Sequence, residues 1–277
     1  MKRFAAFVLP VILAASGAAQ VLPYTQSFAD TGAWIGSTPT GNHVEDGPAN
    51  RPTNAVSTST MTIGGDTAEA RFESWSQYTT LRAMGTITLD TGSTDAGGRV
   101  GLDLGGNPDT VAHFGDLITI GGGPGPHTFR VYYELSGSAG LTGPGAMTWS
   151  ADLDVQIMGL GVSVLNTPQT LFRGGTESSA FGDIGFAEVS ATNGSTMSLF
   201  AYMGGFMQVN RIGGGLTTGS LDMTNTGFFH IVPDDPNTTF TAASGANYLV
   251  PEPATLSVLA LGLMPLLRRR PKTGSDL

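Results

Sequence analysis

The chain has 277 residues, 40 of them glycine, and it contains no cysteine. The lack of cysteine excludes disulfide cross-links and thiol catalysis, so the fold has to be stabilised by a packed core. Residues 20–249 contain seven arginines, no lysine and twenty acidic residues, which gives a formal charge of −13. Such an acidic surface repels nucleic acid and anionic lipid headgroups, so we expect neither as a partner.

The first 19 residues have the pattern of a secretory signal peptide. A basic start, Met1–Arg3, is followed by an apolar stretch at residues 4–15 and by small residues at 17–19. The pattern predicts cleavage between Ala19 and Gln20, with signal peptidase and the export machinery as partners. A retained membrane helix is the alternative, but the apolar stretch is short for a span and contains a proline.

Glycines separate short apolar runs throughout residues 20–249, and no stretch there keeps an apolar 3.6-residue period for three turns. Alternation with a period of two is frequent instead, as in Arg71–Trp75 and Gly85–Leu89. It is clearest at residues 128–135, whose apolar side chains all fall on one face. These stretches predict strands that have one buried and one solvated face.

A longer alternating stretch follows at residues 146–158, and we expect it to pair with residues 128–135 in an antiparallel hairpin. Further short runs bring the total to about a dozen strands, separated by Gly, Pro and Asn turns. The predicted fold class is therefore all-β. We expect one antiparallel β-sandwich domain of jelly-roll topology at residues 20–249, with short hydrophobic helices at both termini.

Residues 49–62 have a composition that differs from the predicted strands. They are rich in Pro, Ser, Thr and Asn and poor in large apolar side chains. Such residues bond to nearby backbone in turns and irregular segments. The composition predicts a long surface loop or an irregular edge of the sandwich.

Catalytic motifs are weak in this sequence. Asp90–Gly92 reads Asp-Thr-Gly after an apolar run, as in aspartic proteases, but their mechanism needs two carboxylates that share a proton. The same triplet recurs at residues 30–32, and we interpret Asp90–Gly92 as a strand end with an Asp/Gly turn. The histidines His43, His113, His127 and His230 are scattered without metal-ligand spacing. We therefore predict no catalytic residue and no cofactor.

Oxygen-rich stretches make a structural calcium ion an open alternative. Residues 103–109 contain two Asp and one Asn, Asp152 and Asp154 share one predicted strand face, and Asp234 precedes Asp235. Carboxylate and amide oxygens suit Ca²⁺, although no twelve-residue calcium loop is matched. Solvated turns explain the same residues, so no metal site is assigned.

Aromatic residues offer a route to sugar binding, because Trp and Tyr rings stack on the apolar faces of pyranoses while polar neighbours bond the hydroxyls. The available residues are Trp34, Trp75, Trp149, Tyr132 and Tyr202. The period of residues 146–158 predicts that Trp149 is buried, whereas Tyr132 falls on the polar face of its strand.

The last 28 residues combine three features in a fixed order. The first is an extended clip of Val250, Pro251, Glu252 and Pro253. Next comes the uncharged stretch 254–267, about 21 Å long as a helix against a hydrocarbon core of roughly 30 Å. The last is a charge cluster of Arg268, Arg269 and Arg270. The positive-inside rule holds this cluster on the cytoplasmic side, which places the preceding chain outside.

This order resembles the PEP-CTERM sorting signal of bacterial envelope proteins, and the resemblance covers residues 250–277. It departs from the family pattern where Pro265 interrupts the apolar stretch and where residues 271–277 extend past the arginines. In that family a membrane transpeptidase of the exosortase type recognises the clip, and the substrates accompany exopolysaccharide and biofilm production. The resemblance implies a protein that is exported, anchored in the membrane by its C-terminus, and then processed to the cell surface or medium.

The sequence thus predicts a non-enzymatic protein of the cell envelope or extracellular matrix, associated with exopolysaccharide or biofilm. A carbohydrate-binding β-sandwich module is the first alternative. A secreted glycoside hydrolase is the second, since two carboxylates on a jelly roll can cleave glycosides. The twenty acidic residues cannot be paired from sequence, so no catalytic pair is named.

Overall fold

The computed structural model describes residues 22–101, 110–166 and 168–249, which form sixteen strands and no helix. The strands are β1 (Tyr24–Ile35), β2 (Thr38–Ala49), β3 (Thr53–Ile63), β4 (Asp66–Gln77), β5 (Thr80–Thr91), β6 (Ala96–Gly101), β7 (Thr110–Gly121), β8 (Pro126–Thr142), β9 (Ala146–Met158), β10 (Val162–Val164), β11 (Leu171–Gly175), β12 (Ser179–Thr192), β13 (Thr196–Arg211), β14 (Gly215–Met223), β15 (Phe228–Pro233) and β16 (Thr239–Ala242). The all-β prediction is confirmed. The described residues do not include the predicted signal peptide, the predicted terminal hydrophobic helices, the clip or the arginine cluster. They also leave out the oxygen-rich stretch 103–109.

Sheet A contains eight strands, and two of them occupy the same place in the strand order. Its spatial order is β11–β9–β13, then β6 and β7, then β1, with β2 beside β1 and β16 beside β7. Both β6 and β7 run antiparallel to β13, β6 along residues 206–211 and β7 along residues 196–204. Both also pair with β1 on their other side. The two strands therefore share one position in the sheet, end to end.

Sheet B also contains eight strands, and two of them again occupy the same place in the strand order. Its spatial order is β10–β12–β8, then β14 and β15, then β5–β4–β3. Both β14 and β15 pair with β8 on one side and with β5 on the other. Residues 224–227 connect them, so the ladder beside β5 is broken at this turn.

The middle of the chain alternates between the sheets. Strands β7, β9, β11 and β13 belong to sheet A, whereas β8, β10, β12 and β14 belong to sheet B. The resulting neighbours, β7–β13–β9–β11 in one sheet and β8–β12–β10 in the other, follow jelly-roll order. The predicted antiparallel sandwich of jelly-roll topology is confirmed.

The alternation of side chains is correct for the two clearest predicted strands, but their pairing is not. The apolar face of residues 128–135 and that of residues 146–158 both point into the core, and Trp149 is buried as expected. The predicted hairpin between them is wrong, because β8 pairs with β12 while β9 pairs with β13 and β11. In a jelly roll, consecutive strands cross from one sheet to the other, so neighbours in sequence are not neighbours in the sheet.

Buried hydroxyl groups join the two sheets where β1 faces β3. The Ser27 hydroxyl donates to the Thr53 carbonyl at 3.1 Å, and the Thr31 hydroxyl lies 2.9 Å from those of Ser57 and Ser59. All five residues are buried. The predicted surface loop at residues 49–62 is therefore wrong for β3, which is a regular strand at the edge of sheet B. Its small hydroxyl side chains allow close approach of the sheets, and a loop would have the same composition.

The end of the described chain is tied to the sandwich by a segment that we name the C-terminal strap, residues 243–249. Asp116 of β7 is fully buried and accepts hydrogen bonds from the Ser244 backbone N–H at 3.2 Å and the Tyr248 hydroxyl at 3.0 Å. The Ile231 backbone N–H donates to the Tyr248 carbonyl at 2.7 Å. Burial, and then the neighbouring carboxylate, raise the pKa of Tyr248, so its hydroxyl remains a donor.

Residues 22–101, 110–166 and 168–249 contain no helix that is long and apolar enough to cross a membrane.

Candidate functional site

Three of the five candidate aromatic residues have structural partners. Trp149 is buried, stacks on Phe181 with ring centroids 5.1 Å apart, and donates its indole N–H to the Glu177 carbonyl at 3.0 Å. Trp34 is half-buried on β1 and lies against Gly97 of the neighbouring strand. The Tyr202 side chain forms a hydrogen bond with that of Tyr24 on the outer face of sheet A. These contacts explain the three aromatics without a ligand.

Tyr132 belongs to an aromatic row on the outer face of sheet B, which we define as Phe186, Tyr132 and His230. The three residues lie opposite one another on β12, β8 and β15. The Tyr132 and His230 rings are stacked with centroids 5.1 Å apart, and the Phe186 ring lies 5.7 Å from that of Tyr132. Phe186 is 43% exposed. The row therefore presents aromatic surface to solvent across three strands.

Trp75 lies in a pocket on the same outer face of sheet B. The cavity has a volume of about 300 Å³. The residues that line this Trp75 pocket are Trp75, Gln77, Thr80, Arg82 and Thr224. Trp75 and Arg82 are direct cross-strand partners on β4 and β5. The volume is at the lower end for small-molecule sites, about the size of a single sugar residue.

The break between β14 and β15 makes room for this pocket. Strand β14 follows β5 only as far as the pair Met223 and Ala83, and β15 rejoins it at Phe228. Thr224 begins the intervening turn, where its backbone N–H and its hydroxyl both donate to the Asp222 carboxylate at 2.9 and 2.7 Å. The turn therefore holds Thr224 beside the exposed Arg82.

The Arg82 guanidinium is positioned by an aromatic ring. It lies 5.8 Å from the centroid of the Phe228 ring, a cation–π contact. Phe228 is 38% exposed and precedes His230 by two residues on β15, so its ring is on the same outer face. The Trp75 pocket and the aromatic row therefore form a continuous surface over five neighbouring strands, about 19 Å across at the usual strand spacing.

The outer face of sheet A is built differently. Its central histidine, His113, is 3% exposed and has Tyr24, Phe28 and Tyr202 rings around it, with centroids 5.4 to 5.6 Å away. The His113 Nε2 atom lies 2.8 Å from the Gln26 side-chain oxygen. Burial lowers the pKa of His113 to about 4. These aromatic side chains pack around His113 and around one another, so they are not available to stack on a ligand.

His113 makes the stability of the protein dependent on pH. Its pKa is lower in the folded chain than the 6.5 of a free imidazole, so protons bind the unfolded chain more tightly. Between pH 7 and pH 4.5 this residue should lower the free energy of unfolding by about 2–3 kcal/mol. We expect His113→Gln to lose less stability than the wild type over this range, as measured by urea denaturation at both pH values. Equal losses in the two proteins would contradict a neutral buried His113.

The other candidates from the sequence do not come together into a site. Asp90 is exposed at the end of β5, as the strand-end interpretation predicts. The carboxylate of Asp154 accepts from the hydroxyl of Thr170 at 3.0 Å. Within residues 22–101, 110–166 and 168–249, no group of three or more His, Asp and Glu side chains is arranged to hold a metal ion. His127 is buried and lies 3.0 Å from the Thr238 hydroxyl.

The fold and the site define an antiparallel two-sheet β-sandwich protein with an aromatic pocket on one outer face. No protein-family model, no curated protein and no solved structure matches the chain.

Proposed function

We propose that this chain is an exported, non-enzymatic protein of the bacterial cell envelope or extracellular matrix that associates with extracellular polysaccharide. The observation that carries the proposal is the Trp75 pocket, which lies beside the aromatic row on the outer face of sheet B. Membership of the PEP-CTERM family, proposed from residues 250–277, supports export and an association with polysaccharide.

The chemistry of the pocket suits a sugar. An indole ring provides an apolar surface for the C–H groups of a pyranose, and the side chains of Arg82 and Gln77 provide donors for its oxygens. The Thr224 hydroxyl donates to Asp222 and provides an acceptor for a sugar hydroxyl. None of the described residues that line the pocket is a carboxylate. Glycoside hydrolysis requires a pair of carboxylates that flank the scissile bond, so the pocket favours binding over cleavage.

We expect Trp75→Ala to weaken binding to the polysaccharide of the producing organism by roughly tenfold, because a stacking surface is lost. Binding is measured by co-sedimentation of the purified protein with that polysaccharide. Leu216→Ala is the control, since Leu216 is 59% exposed on β14 and does not line the pocket. If Trp75→Ala binds like the wild type, the pocket is not the sugar site. Release of reducing ends would instead support the glycoside hydrolase alternative.

The C-terminal strap supports the sorting part of the proposal. Its last described residue, Leu249, forms a parallel bridge with Ile231, and the clip begins at the next residue. The proposed recognition site of an exosortase-type transpeptidase therefore directly follows a residue that is bound to β15. A short exit from the domain keeps that site near the membrane during processing.

We expect the double variant Pro251→Ala/Pro253→Ala to remain at full length in the membrane fraction of the producing organism. The wild type should end near the clip and reach the cell surface or medium, because the transpeptidase would read the extended clip. Intact mass and cell fractionation measure both outcomes. Pro271→Ala, beyond the arginine cluster, is the matched control and should be processed. If the wild type also keeps Leu277 and stays in the membrane, the tail is a plain anchor.

A further inference from the structure

Most arginines of the described chain have a polar or acidic partner, whereas Arg82 contacts an aromatic ring. Ion pairs engage Arg51, Arg71, Arg130 and Arg173 with Asp46, Glu73, Glu188 and Asp183. Arg211 is buried and donates to the Thr217 hydroxyl at 2.8 Å. Among the described residues, Arg82 contacts the Phe228 ring and forms no ion pair. Arg99 also forms no ion pair among the described residues, but its charge acts on the Asp30 carboxyl and favours the ionised form, whereas Arg82 lines the pocket.

The acidic residue closest to Arg82 along β4 is already engaged. Glu73 lies two residues before Trp75, and its carboxylate accepts from Arg71 at 2.9 Å and from the Asn54 amide at 3.2 Å. The exposed guanidinium of Arg82 thus keeps donors available for a ligand in the pocket. A planar guanidinium matches a carboxylate with two parallel hydrogen bonds, and such charge-assisted bonds are stronger than bonds to a hydroxyl.

We propose that the Trp75 pocket binds a uronic acid residue, with the sugar ring on the Trp75 indole and the sugar carboxylate on the Arg82 guanidinium. The inference rests on the proposed association with polysaccharide, and it names the sugar. The cavity of about 300 Å³ holds one such residue. The hydroxyl groups of the same sugar ring form hydrogen bonds with the side chains of Gln77, Thr80 and Thr224.

The surroundings of the pocket restrict the polymer further. Glu134 lies directly opposite Phe228, and Glu188 lies beside the aromatic row, where it pairs with Arg130. A second sugar carboxylate over the row would meet these acidic side chains, within the roughly 10 Å over which charges interact at moderate salt. The bound polymer therefore carries neutral sugars next to its uronic acid, and an unbroken polyuronate is disfavoured.

The test compares two ligands that differ in one group. One is a trisaccharide with glucuronic acid between two glucose residues, and the other is its carboxyl-reduced form, in which the glucuronic acid has become glucose. Titration calorimetry with the purified full-length protein should show binding of the acidic form about ten to a hundred times tighter, the range for hydrogen bonds to charged groups. Arg82→Gln should bind both forms equally, at the level of the neutral one.

Two further variants separate the roles of charge and ring. Trp75→Ala should weaken binding of both trisaccharides. Arg71→Gln is the charge control, because Arg71 is exposed on β4, the strand of Trp75, and pairs with Glu73 outside the pocket. This variant should keep the preference for the acidic trisaccharide. Circular dichroism confirms that each variant is folded.

Each outcome decides between the claims. Equal binding of the two forms by the wild type, or a preserved preference in Arg82→Gln, overturns the uronic acid assignment. If Trp75→Ala still weakens binding in that case, association with neutral polysaccharide stands. If the wild type binds neither trisaccharide nor the native polysaccharide, both the assignment and the proposed function fail.

Discussion

Replacing Asp116 with alanine is expected to lower the free energy of unfolding by about 3–4 kcal/mol. The Asp116 side chain is fully buried. It accepts hydrogen bonds from the Leu117 and Ser244 backbone N–H groups and from the Ser244 and Tyr248 hydroxyls. Alanine leaves these donors without an acceptor in a buried place, which costs more than the bonds themselves contribute. Urea denaturation of the purified protein measures the change.

An exposed aspartate that plays a similar local role provides the control. Asp235 accepts from the backbone N–H and the side-chain amide of Asn237, both at 2.9 Å, and it is exposed to solvent. We expect Asp235→Ala to cost less than about 1 kcal/mol, since water replaces the lost acceptor. Hydrogen exchange should also become faster across residues 243–249 in the Asp116 variant. Equal losses in the two variants would show that Asp116 does not hold the strap.

Replacing Gly101 with alanine is expected to lower the free energy of unfolding by about 3 kcal/mol. Gly101 ends β6 and has a φ of +80°, which side chains rarely adopt. An added Cβ atom would lie 1.8 Å from the Gly205 carbonyl oxygen on β13. Backbone atoms cannot rotate away as a side chain can, so β6 and β13 would have to separate.

Gly123→Ala is the matched control for this prediction. Gly123 is in the turn between β7 and β8, and a Cβ atom there would meet nothing within 4 Å. Its stability should stay within about 0.5 kcal/mol of the wild type, as is usual for surface positions. Thermal and urea unfolding of both variants measure the difference. An equally stable Gly101→Ala would show that the strands part at little cost.

The faces of the strands could be predicted from sequence, but the partners of the strands could not. Alternation in β8 and β9 determines which side chains are buried, because the two-residue period is a local property. The pairing of β9 with β13 joins residues about fifty positions apart, and no local pattern encodes it. Strand β3 was missed for a related reason, since buried Ser and Thr that bond across the sheets look like a polar loop.

The candidate site could be predicted only in part. Trp75 was identified as an available ring, whereas Arg82 was not. The register that places them opposite each other comes from the two-residue connection Tyr78–Thr79 between β4 and β5, which has none of the Gly or Asn residues typical of tight hairpins. Recognising that hairpin would have paired the two residues. Thr224 reaches the pocket through the break between β14 and β15, a feature of the sheet as a whole.

The position of Leu249 has a mechanical consequence for an anchored protein. Strand β15 carries Phe228 and His230 on its outer side, and its Ile231 bridges to Leu249, the residue before the clip. In the proposed anchored protein, a pull on polysaccharide held over β15 would reach Leu249 through Ile231 of the same strand. Part of that load would pass to sheet A, because Asp116 of β7 holds the strap, and these strap contacts would be the first to yield under force.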